Sequence, residues 1–145
     1  MKTVTQRSIG IIIFAVFPRS IKYLLIRQHQ GHWGFPKGHT EKGEKYIDTA
    51  IRELKEETGI KKIEFLEKKI LYKEKYLINY PDEKINKLVY FYVAKSLERN
   101  VKIDKKEIIN YKWCSFEKAL EKLTYTNNKN ILKKANKYIT AKLKK

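Results

Sequence analysis

The stretch from His32 to Ile60, "HWGFPKGHTEKGEKYIDTAIRELKEETGI", is the feature that most restricts how this chain can fold. A loop containing glycines runs into a segment whose apolar residues recur at helical spacing, which predicts an amphipathic helix with one buried stripe. Gly59 is a natural stop for that helix, and Ile60 is placed to fold back onto its last turn. A helix of this kind needs a second layer to cover its stripe. The predicted stripe consists of Ile47, Ala50, Ile51 and Leu54.

The segments before the helix predict two strands. The run "IGIIIFAVF" lies in a strand from about Ser8 to Val16, because consecutive β-branched residues suit a buried strand. A turn at "FPRS" separates it from a second strand, "IKYLLIRQH". The two strands are expected to form a hairpin or to lie as neighbours.

The segments after the helix complete a sheet. "IEFLEKKILYKEKYLINY", a polar turn around "PDEKIN", and "KLVYFYVAK" predict a long β-hairpin, and "YKWCSF" predicts one more strand. "SFEKALEKL" predicts a short helix, and the chain then closes with a longer C-terminal helix. We therefore predict an α/β or α+β fold, a mixed β-sheet with helices packed on it. The apolar residues of the C-terminal helix expected to face inward are Ile131, Leu132, Ala135 and Ile139.

Length and composition predict one domain. With 145 residues, 17.3 kDa and 42% apolar residues, the chain can bury a real core but has little room for a second one, so residues 1–145 are expected to form a single domain. The formal net charge of +17 predicts a positive field that attracts anions such as nucleotides, RNA or a membrane surface. A solvated Lys-rich surface explains the same charge equally well.

The expected location is cytoplasmic. Cys114 is the sole cysteine, which excludes an intrachain disulfide and favours a reducing compartment. The apolar run at residues 9–17 is too short to span a bilayer and lacks an evident cleavage site. The inward stripe of the Lys-rich C-terminal helix is explained more simply by a core than by membrane binding. We therefore expect no membrane partner, and no sequence feature indicates an oligomeric state.

The predicted helix concentrates acid in a basic protein. Glu53, Glu56 and Glu57 are three and four residues apart, so their carboxylates lie side by side and repel one another. Hard cations such as Mg²⁺ or Mn²⁺ relieve this repulsion, because they prefer oxygen ligands. Arg52 lies four residues before Glu56 and can brace it. A solvated Glu/Lys helix face is the alternative for any one of these glutamates taken alone.

The loop before the helix fits the same interpretation. Gly38 and Gly43 allow the loop to turn tightly and to bring its backbone close to a metal ion. Glu44 can tie the loop down. Lys37 adjoins Gly38, so its side chain is expected near an anionic substrate.

Taken together, these positions match a known motif. The spacing from Gly38 through Glu44, the run Arg52-Glu53-Leu54, Glu56-Glu57 and Gly59-Ile60 resembles the Nudix box at every fixed position. The resemblance to Nudix hydrolases covers the whole chain and implies an αβα sandwich that cleaves a nucleoside diphosphate linked to another group. By position it implies that Glu53, Glu56 and Glu57 hold a divalent cation, with the Gly38 carbonyl as a further ligand.

The flanking residues resemble the asymmetrical diadenosine tetraphosphate hydrolases. The shared features are the His-Trp and Pro-Lys-Gly-His run at residues 32–39, and more loosely "KLVYFYVAK", "KEIINYKW" and "LTYTNNKNILKKA". This alignment implies that Lys87 contacts the phosphate chain, that Tyr125 flanks a base, and that Glu107 is a fourth carboxylate at the metals. Phe91 stands where the family often has tyrosine, so a hydroxyl contact is lost there.

Two further residues of the run are candidates for substrate binding, Trp33 and His39. For Trp33, packing in the core or loop is the stronger alternative to stacking on a base. His39 has a purely structural role as its alternative.

The sequence therefore predicts a metal-dependent hydrolase in which water attacks a phosphorus of diadenosine tetraphosphate and gives ATP and AMP. The candidates for the group that takes the proton of the water are Glu57, Glu107 and Glu53, in that order, and Arg52 supports them. One alternative is an RNA 5′-triphosphate pyrophosphohydrolase or another nucleoside diphosphate-X pyrophosphatase, with an RNA 5′ end as partner. The other is a non-catalytic nucleotide- or RNA-binding Nudix module, against which the complete set of carboxylates argues.

Overall fold

The computed structural model describes residues 2–144, which form eight strands and three helices. The strands are β1 (Lys2–Phe17), β2 (Ser20–Gln28), β3 (Trp33–Gly34), β4 (Lys37–His39), β5 (Ile63–Phe65), β6 (Tyr72–Asn79), β7 (Glu83–Ser96) and β8 (Ile108–Cys114). The helices are α1 (Tyr46–Thr58), α2 (Phe116–Lys122) and α3 (Thr126–Leu143).

All eight strands belong to one mixed sheet organised around β1. This strand runs parallel to β7 along residues 2–14, and antiparallel to both β4 and β2 on its other edge. The order across the sheet is β3-β2-β1-β7-β5, with β4 beside β1, β6 beside β7 and β8 beside β2. Residues 9–15 of β1 are all buried, as expected for a strand covered on both faces.

Alternate residues of β1 point into two separate cores. Ile11 and Ile13 belong to the core under α1, whereas Ile12 and Phe14 belong to the core under α2 and α3. The inward residues predicted for the C-terminal helix are all buried in the second core. The molecule is thus an α/β/α sandwich, which confirms the predicted fold class.

Helix α1 ends as predicted but is rotated relative to the predicted stripe. Gly59 adopts φ 76°, and its N–H donates to the Lys55 carbonyl at 2.9 Å. Ala50 and Leu54 are buried, but the prediction for Ile51 is wrong, since that side chain is 37% exposed. The buried face is centred between Ala50, Leu54 and Glu57, and Ile51 lies about 100° around the helix from Ala50. Glu57 therefore belongs to the buried face of α1, and Ile51 does not.

The predicted long hairpin is confirmed for β6 and β7, which pair antiparallel from Tyr72↔Phe91 to Asn79↔Lys84. The segment that precedes the turn is divided, because β5 pairs with residues 94–96, at the far end of β7. Cys114 is buried at the end of β8. Within residues 2–144, no helix is long and apolar enough to cross a membrane.

Candidate functional site

A cavity of about 1020 Å³ collects almost every residue predicted for the site. Its walls come from β4, α1, β6, β7, the loop after β2, the loop before β8 and the start of α3. Residues far apart in the sequence thus meet because the sheet carries them to one surface. The predicted residues that line it are Lys37, Gly38, His39, Arg52, Glu53, Glu56, Glu57, Lys87, Glu107 and Tyr125.

The acidic helix lies directly over β4. Gly38, which pairs with Ile9 of β1, lies against the carboxylate of Glu53. A Cβ at Gly38 would overlap the carboxyl carbon and both oxygens of Glu53. Gly43, in contrast, has φ 79° and provides the tight turn that was predicted for both glycines. Gly38 is therefore needed for close approach, since it is not among the glycines with positive φ.

Glu57 is a buried carboxyl group at the wall of the cavity. Its side chain is 3% exposed, and the Lys37 backbone N–H donates to its Oε1 at 2.9 Å. Burial is the largest cause that raises the pKa of Glu57, to about 8, and the negative charges of Glu53 and Glu107 raise it further. Burial also raises the pKa of Glu53. At this end of the cavity the carboxyl groups outnumber the positive charges beside them, and such an environment favours a bound cation.

Arg52 holds several of these carboxylates together. Its Nε and Nη2 donate to the two oxygens of Glu44 at 2.8 and 3.0 Å. Its Nη1 donates to Glu53 at 2.9 Å and, as predicted from the spacing, to the more exposed Glu56 at 3.2 Å. Nη2 also donates to the His39 carbonyl at 2.9 Å. These bonds raise the pKa of Arg52.

Glu44 ties the loop to the helix. Besides Arg52, its Oε1 accepts hydrogen bonds from the Thr49 hydroxyl at 2.7 Å and the Glu41 backbone N–H at 3.1 Å. The Arg52 hydrogen bonds, followed by that of Thr49, lower the pKa of Glu44 to about 2. Glu44 is therefore fully engaged as a structural partner.

The carboxylates do not converge into a finished metal site. Among residues 2–144, no three His, Cys, Asp or Glu side chains form a group arranged to hold a metal ion. Arg52 holds Glu53 and Glu56, while the Lys37 N–H holds Glu57. The donors nevertheless fit a hard divalent cation, because they are carboxylate oxygens beside a close backbone approach at Gly38.

Two lysines line the same cavity as the carboxylates. Burial lowers the pKa of Lys37, the charge of Glu74 opposes that shift, and Lys87 adds to it. Lys37, Glu74 and Lys87 all line the cavity. On β7, Lys87 lies between Gln6 of β1 and Tyr76 of β6.

Aromatic rings occupy another part of the wall. Tyr125, 53% exposed, precedes α3, and its ring centroid lies 5.6 Å from that of His32. His39 lies on β4, where its Nδ1 is 3.2 Å from the Arg7 carbonyl oxygen. Phe91 is buried against Phe35, with ring centroids 5.6 Å apart.

Trp33 is not among the residues that line this cavity. Its ring packs against the core under α2 and α3, and Lys122 Nζ lies 4.5 Å from the ring centroid. Its backbone N–H donates to Thr124 Oγ1 at 2.8 Å. The interpretation as a packing aromatic is the one that this structure favours.

Sequence reasoning missed Glu74 and Asn128, which form a pair in the cavity wall. Asn128 Nδ2 donates to Glu74 Oε2 at 3.0 Å, and both side chains are buried. One signal was available in the sequence. Glu74 is two residues from both Tyr72 and Tyr76 along β6, so the three side chains share the inward face of the strand. An acid at an inward position of a strand indicates a polar partner inside.

Comparisons with known proteins agree with the motif. The NUDIX domain family model matches residues 5–135. The asymmetrical bis(5′-nucleosyl)-tetraphosphatase of Mus musculus is 31% identical over 142 residues, covering 92% of this chain and 95% of the relative, and that of Rattus norvegicus is 30% identical with the same coverage. A crystal structure of a C. elegans Ap4A hydrolase binary complex superposes with a TM-score of 0.80 at 27% identity, covering 94% of this chain and 98% of the other.

Proposed function

The chain belongs to the Nudix family and is a pyrophosphohydrolase acting on small nucleotide substrates, and on that basis we propose that it hydrolyses diadenosine tetraphosphate to ATP and AMP. Two relatives named asymmetrical bis(5′-nucleosyl)-tetraphosphatases align along nearly the whole chain, which supports this substrate class. The match at residues 5–135 also supports the expectation that one domain carries the whole site.

The observation that carries the proposal is the arrangement of groups in one cavity. Carboxylates lie beside Gly38, two lysines line the same cavity, and Tyr125 and His32 present aromatic rings there. A substrate with a long anionic chain and a base at its end matches this combination of groups. The lysines would bind the phosphates of the departing ATP, and Tyr125 would flank a base.

The carboxylates are suited to holding a divalent cation, Mg²⁺ or Mn²⁺. Glu53, Glu56, Glu57 and Glu107 would hold it, with the Gly38 carbonyl as a further oxygen donor. Such a cation supplies Lewis-acid chemistry, which lowers the pKa of water and offsets charge on a phosphate.

Glu57 is the best-placed group to take the proton of the attacking water. Lys37 N–H occupies Oε1 and fixes the carboxyl orientation, so Oε2 is the oxygen left to accept a proton. Burial raises the pKa of Glu57 in the metal-free site, and a bound cation would lower it again and leave the carboxylate ionised, as a base must be. Arg52 does not touch the substrate in this proposal and acts by positioning Glu53 and Glu56.

One assay tests the substrate and the direction of attack together. Diadenosine tetraphosphate should give ATP and AMP with no ADP, and in heavy-oxygen water the label should enter AMP. Two ADP as products, or label in ATP, would contradict this placement of the substrate.

A second candidate is removal of pyrophosphate from triphosphorylated RNA, which the net charge of +17 favours. A panel of diadenosine tetraphosphate, ADP-ribose, nucleoside triphosphates and triphosphorylated RNA, compared by kcat/KM, separates the two. Faster turnover of the RNA would replace the first proposal by the second. Absence of turnover on all four would favour a non-catalytic nucleotide-binding module.

A further inference from the structure

We propose that Asn128, held in one orientation by Glu74, reads the edge of the nucleobase and selects a base that carries an exocyclic amino group. The inference rests on the proposed function, because it concerns a base bound in the same cavity. It adds a specificity-determining residue, Asn128, and a positioning residue, Glu74, to the phosphate and metal groups already described.

Glu74 fixes which way the Asn128 amide points. It lies on the inner face of β6, 9% exposed, and its Oε2 accepts from Asn128 Nδ2 at 3.0 Å. An ionised carboxylate only accepts hydrogen bonds, whereas a side-chain amide has one accepting end and one donating end. The NH₂ group of Asn128 must therefore face Glu74, and the oxygen must face away from it.

The oxygen of that amide is directed to the cavity. Asn128 and Gly34 both line the cavity, and Asn128 Oδ1 lies 3.7 Å from a Cβ built on Gly34. Within residues 2–144, Asn128 Oδ1 accepts no hydrogen bond. Every buried side-chain oxygen or nitrogen of these residues has a hydrogen-bond partner, so Oδ1 is not one of the buried atoms. Oδ1 is therefore exposed to the space of the cavity as an unused acceptor.

Asn128 lies in the aromatic part of the cavity. It is three residues after Tyr125, so the two side chains project from the same side of the start of α3. Tyr125 and His32 offer ring faces, on which any base can stack. The amide oxygen of Asn128 adds a directional contact, which only a base edge with a donor can satisfy.

This contact predicts a preference between bases of the same shape. Adenine presents an amino group that can donate to Asn128 Oδ1, whereas hypoxanthine presents a carbonyl at the same position. Two facing acceptors leave both oxygens unpaired, a loss that corresponds to about a tenfold or larger difference in binding. We expect kcat/KM for diadenosine tetraphosphate to exceed that for diinosine tetraphosphate by at least about tenfold.

Two variants and a control test the assignment. Asn128→Leu removes the acceptor and should bring the ratio of the two kcat/KM values close to one. Asn127→Leu is the matched control, since Asn127 immediately precedes Asn128 in α3 and lines the same cavity but has no bond to Glu74. This variant should keep the wild-type ratio of the two kcat/KM values. Glu74→Gln tests the same contact if the leucine variant misfolds. Glutamine can donate to Asn128 Oδ1, which allows the Asn128 amide to turn round and point its NH₂ group into the cavity. This variant should therefore also lower the ratio of the two kcat/KM values.

The outcomes separate this inference from the proposed function. Equal kcat/KM on the two substrates in the wild-type protein would overturn the inference while leaving the hydrolase intact. A uniform loss on both substrates in Asn128→Leu and Glu74→Gln, with unchanged ratios, would also overturn it and show that the pair only ties β6 to α3. If neither substrate is hydrolysed, the proposed function fails, and calorimetry of ATP and ITP binding in EDTA then tests the inference. Tighter binding of ATP than of ITP that is lost in Asn128→Leu would support the inference. Equal binding of the two nucleotides would overturn it.

Discussion

Gly38→Ala should inactivate the enzyme while leaving it folded. The added Cβ overlaps the carboxyl carbon and both oxygens of Glu53. Carbon atoms in contact are about 3.5–4.0 Å apart, so the carboxylate must retreat by at least ~1 Å and lose its 2.9 Å bond from Arg52. A misplacement of about 1 Å in a catalytic group costs about a hundredfold in rate, and we expect kcat to fall by that factor.

The fold should tolerate the same change. Gly38 is not among the residues with positive φ, so alanine meets no backbone penalty there. The clashing group is the end of a flexible side chain, which can move without shifting the core. A stability change within about 1 kcal/mol corresponds to a shift in Tm of roughly 2–4 °C for a chain of this size.

The assay compares kcat at saturating substrate and cation with Tm from thermal melts. Gly34→Ala is the matched control, because Gly34 lines the same cavity and its added Cβ would come no closer than 3.7 Å to Asn128. The double variant Gly38→Ala/Glu53→Gln should be no slower than the slower single variant, since both changes act through one carboxylate. Near wild-type kcat in Gly38→Ala, or a collapse of Tm, would refute the reasoning.

Three further predictions concern the same cavity. Glu56→Gln should keep Tm but lower kcat by about two or more orders of magnitude, and Glu107→Gln should lower it less; an unchanged rate removes the residue from the site. Because the folded state raises the pKa of Glu57 from 4.5 to about 8, the metal-free protein holds that proton more tightly than the unfolded chain and should lose stability across this pH range. In thermal melts with EDTA, the Tm of Glu57→Gln should rise relative to that of the wild type as pH increases. The opposite trend would contradict a buried, uncompensated carboxyl group at Glu57. Lys87→Ala should reduce kcat/KM for diadenosine tetraphosphate more than for ADP-ribose, whereas equal losses would indicate that Lys87 supports the fold.

The sequence predicted the fold well where periodicity and spacing carry the information. The mixed sheet, the β6–β7 hairpin and the inward face of α3 follow from local alternation and helical repeat. The parallel pairing of β1 with β7 joins residues about eighty positions apart, and no local pattern specifies it. The exposure of Ile51 was missed because periodicity treats Glu57 as outward-facing, although the Lys37 N–H gives this carboxyl group a partner inside.

The residues of the cavity likewise fall into a group that a local pattern predicted and a group that only long-range packing brings together. The acidic residues of α1 and the glycines before it were found because they form a continuous motif with fixed gaps. Glu74 and Asn128 are 54 positions apart in sequence and meet only because β6 and α3 pack on the same face of the sheet. Trp33 adjoins cavity residues in sequence, yet its ring packs against the core under α2 and α3, the alternative that the sequence left open for it.

Arg52 explains how a cluster of carboxylates remains stable before a cation binds. Glu44 holds Nε and Nη2 in a two-bond contact, which anchors the guanidinium from the side of the loop. Only Nη1 reaches the helix carboxylates, and it divides its bonds between Glu53 and Glu56. Burial raises the pKa of Glu53, and the hydrogen bond and charge of Arg52 offset that rise only in part. Under the proposed function, a doubly charged cation would compete for Glu53 and Glu56 while Glu44 keeps its two hydrogen bonds to Arg52.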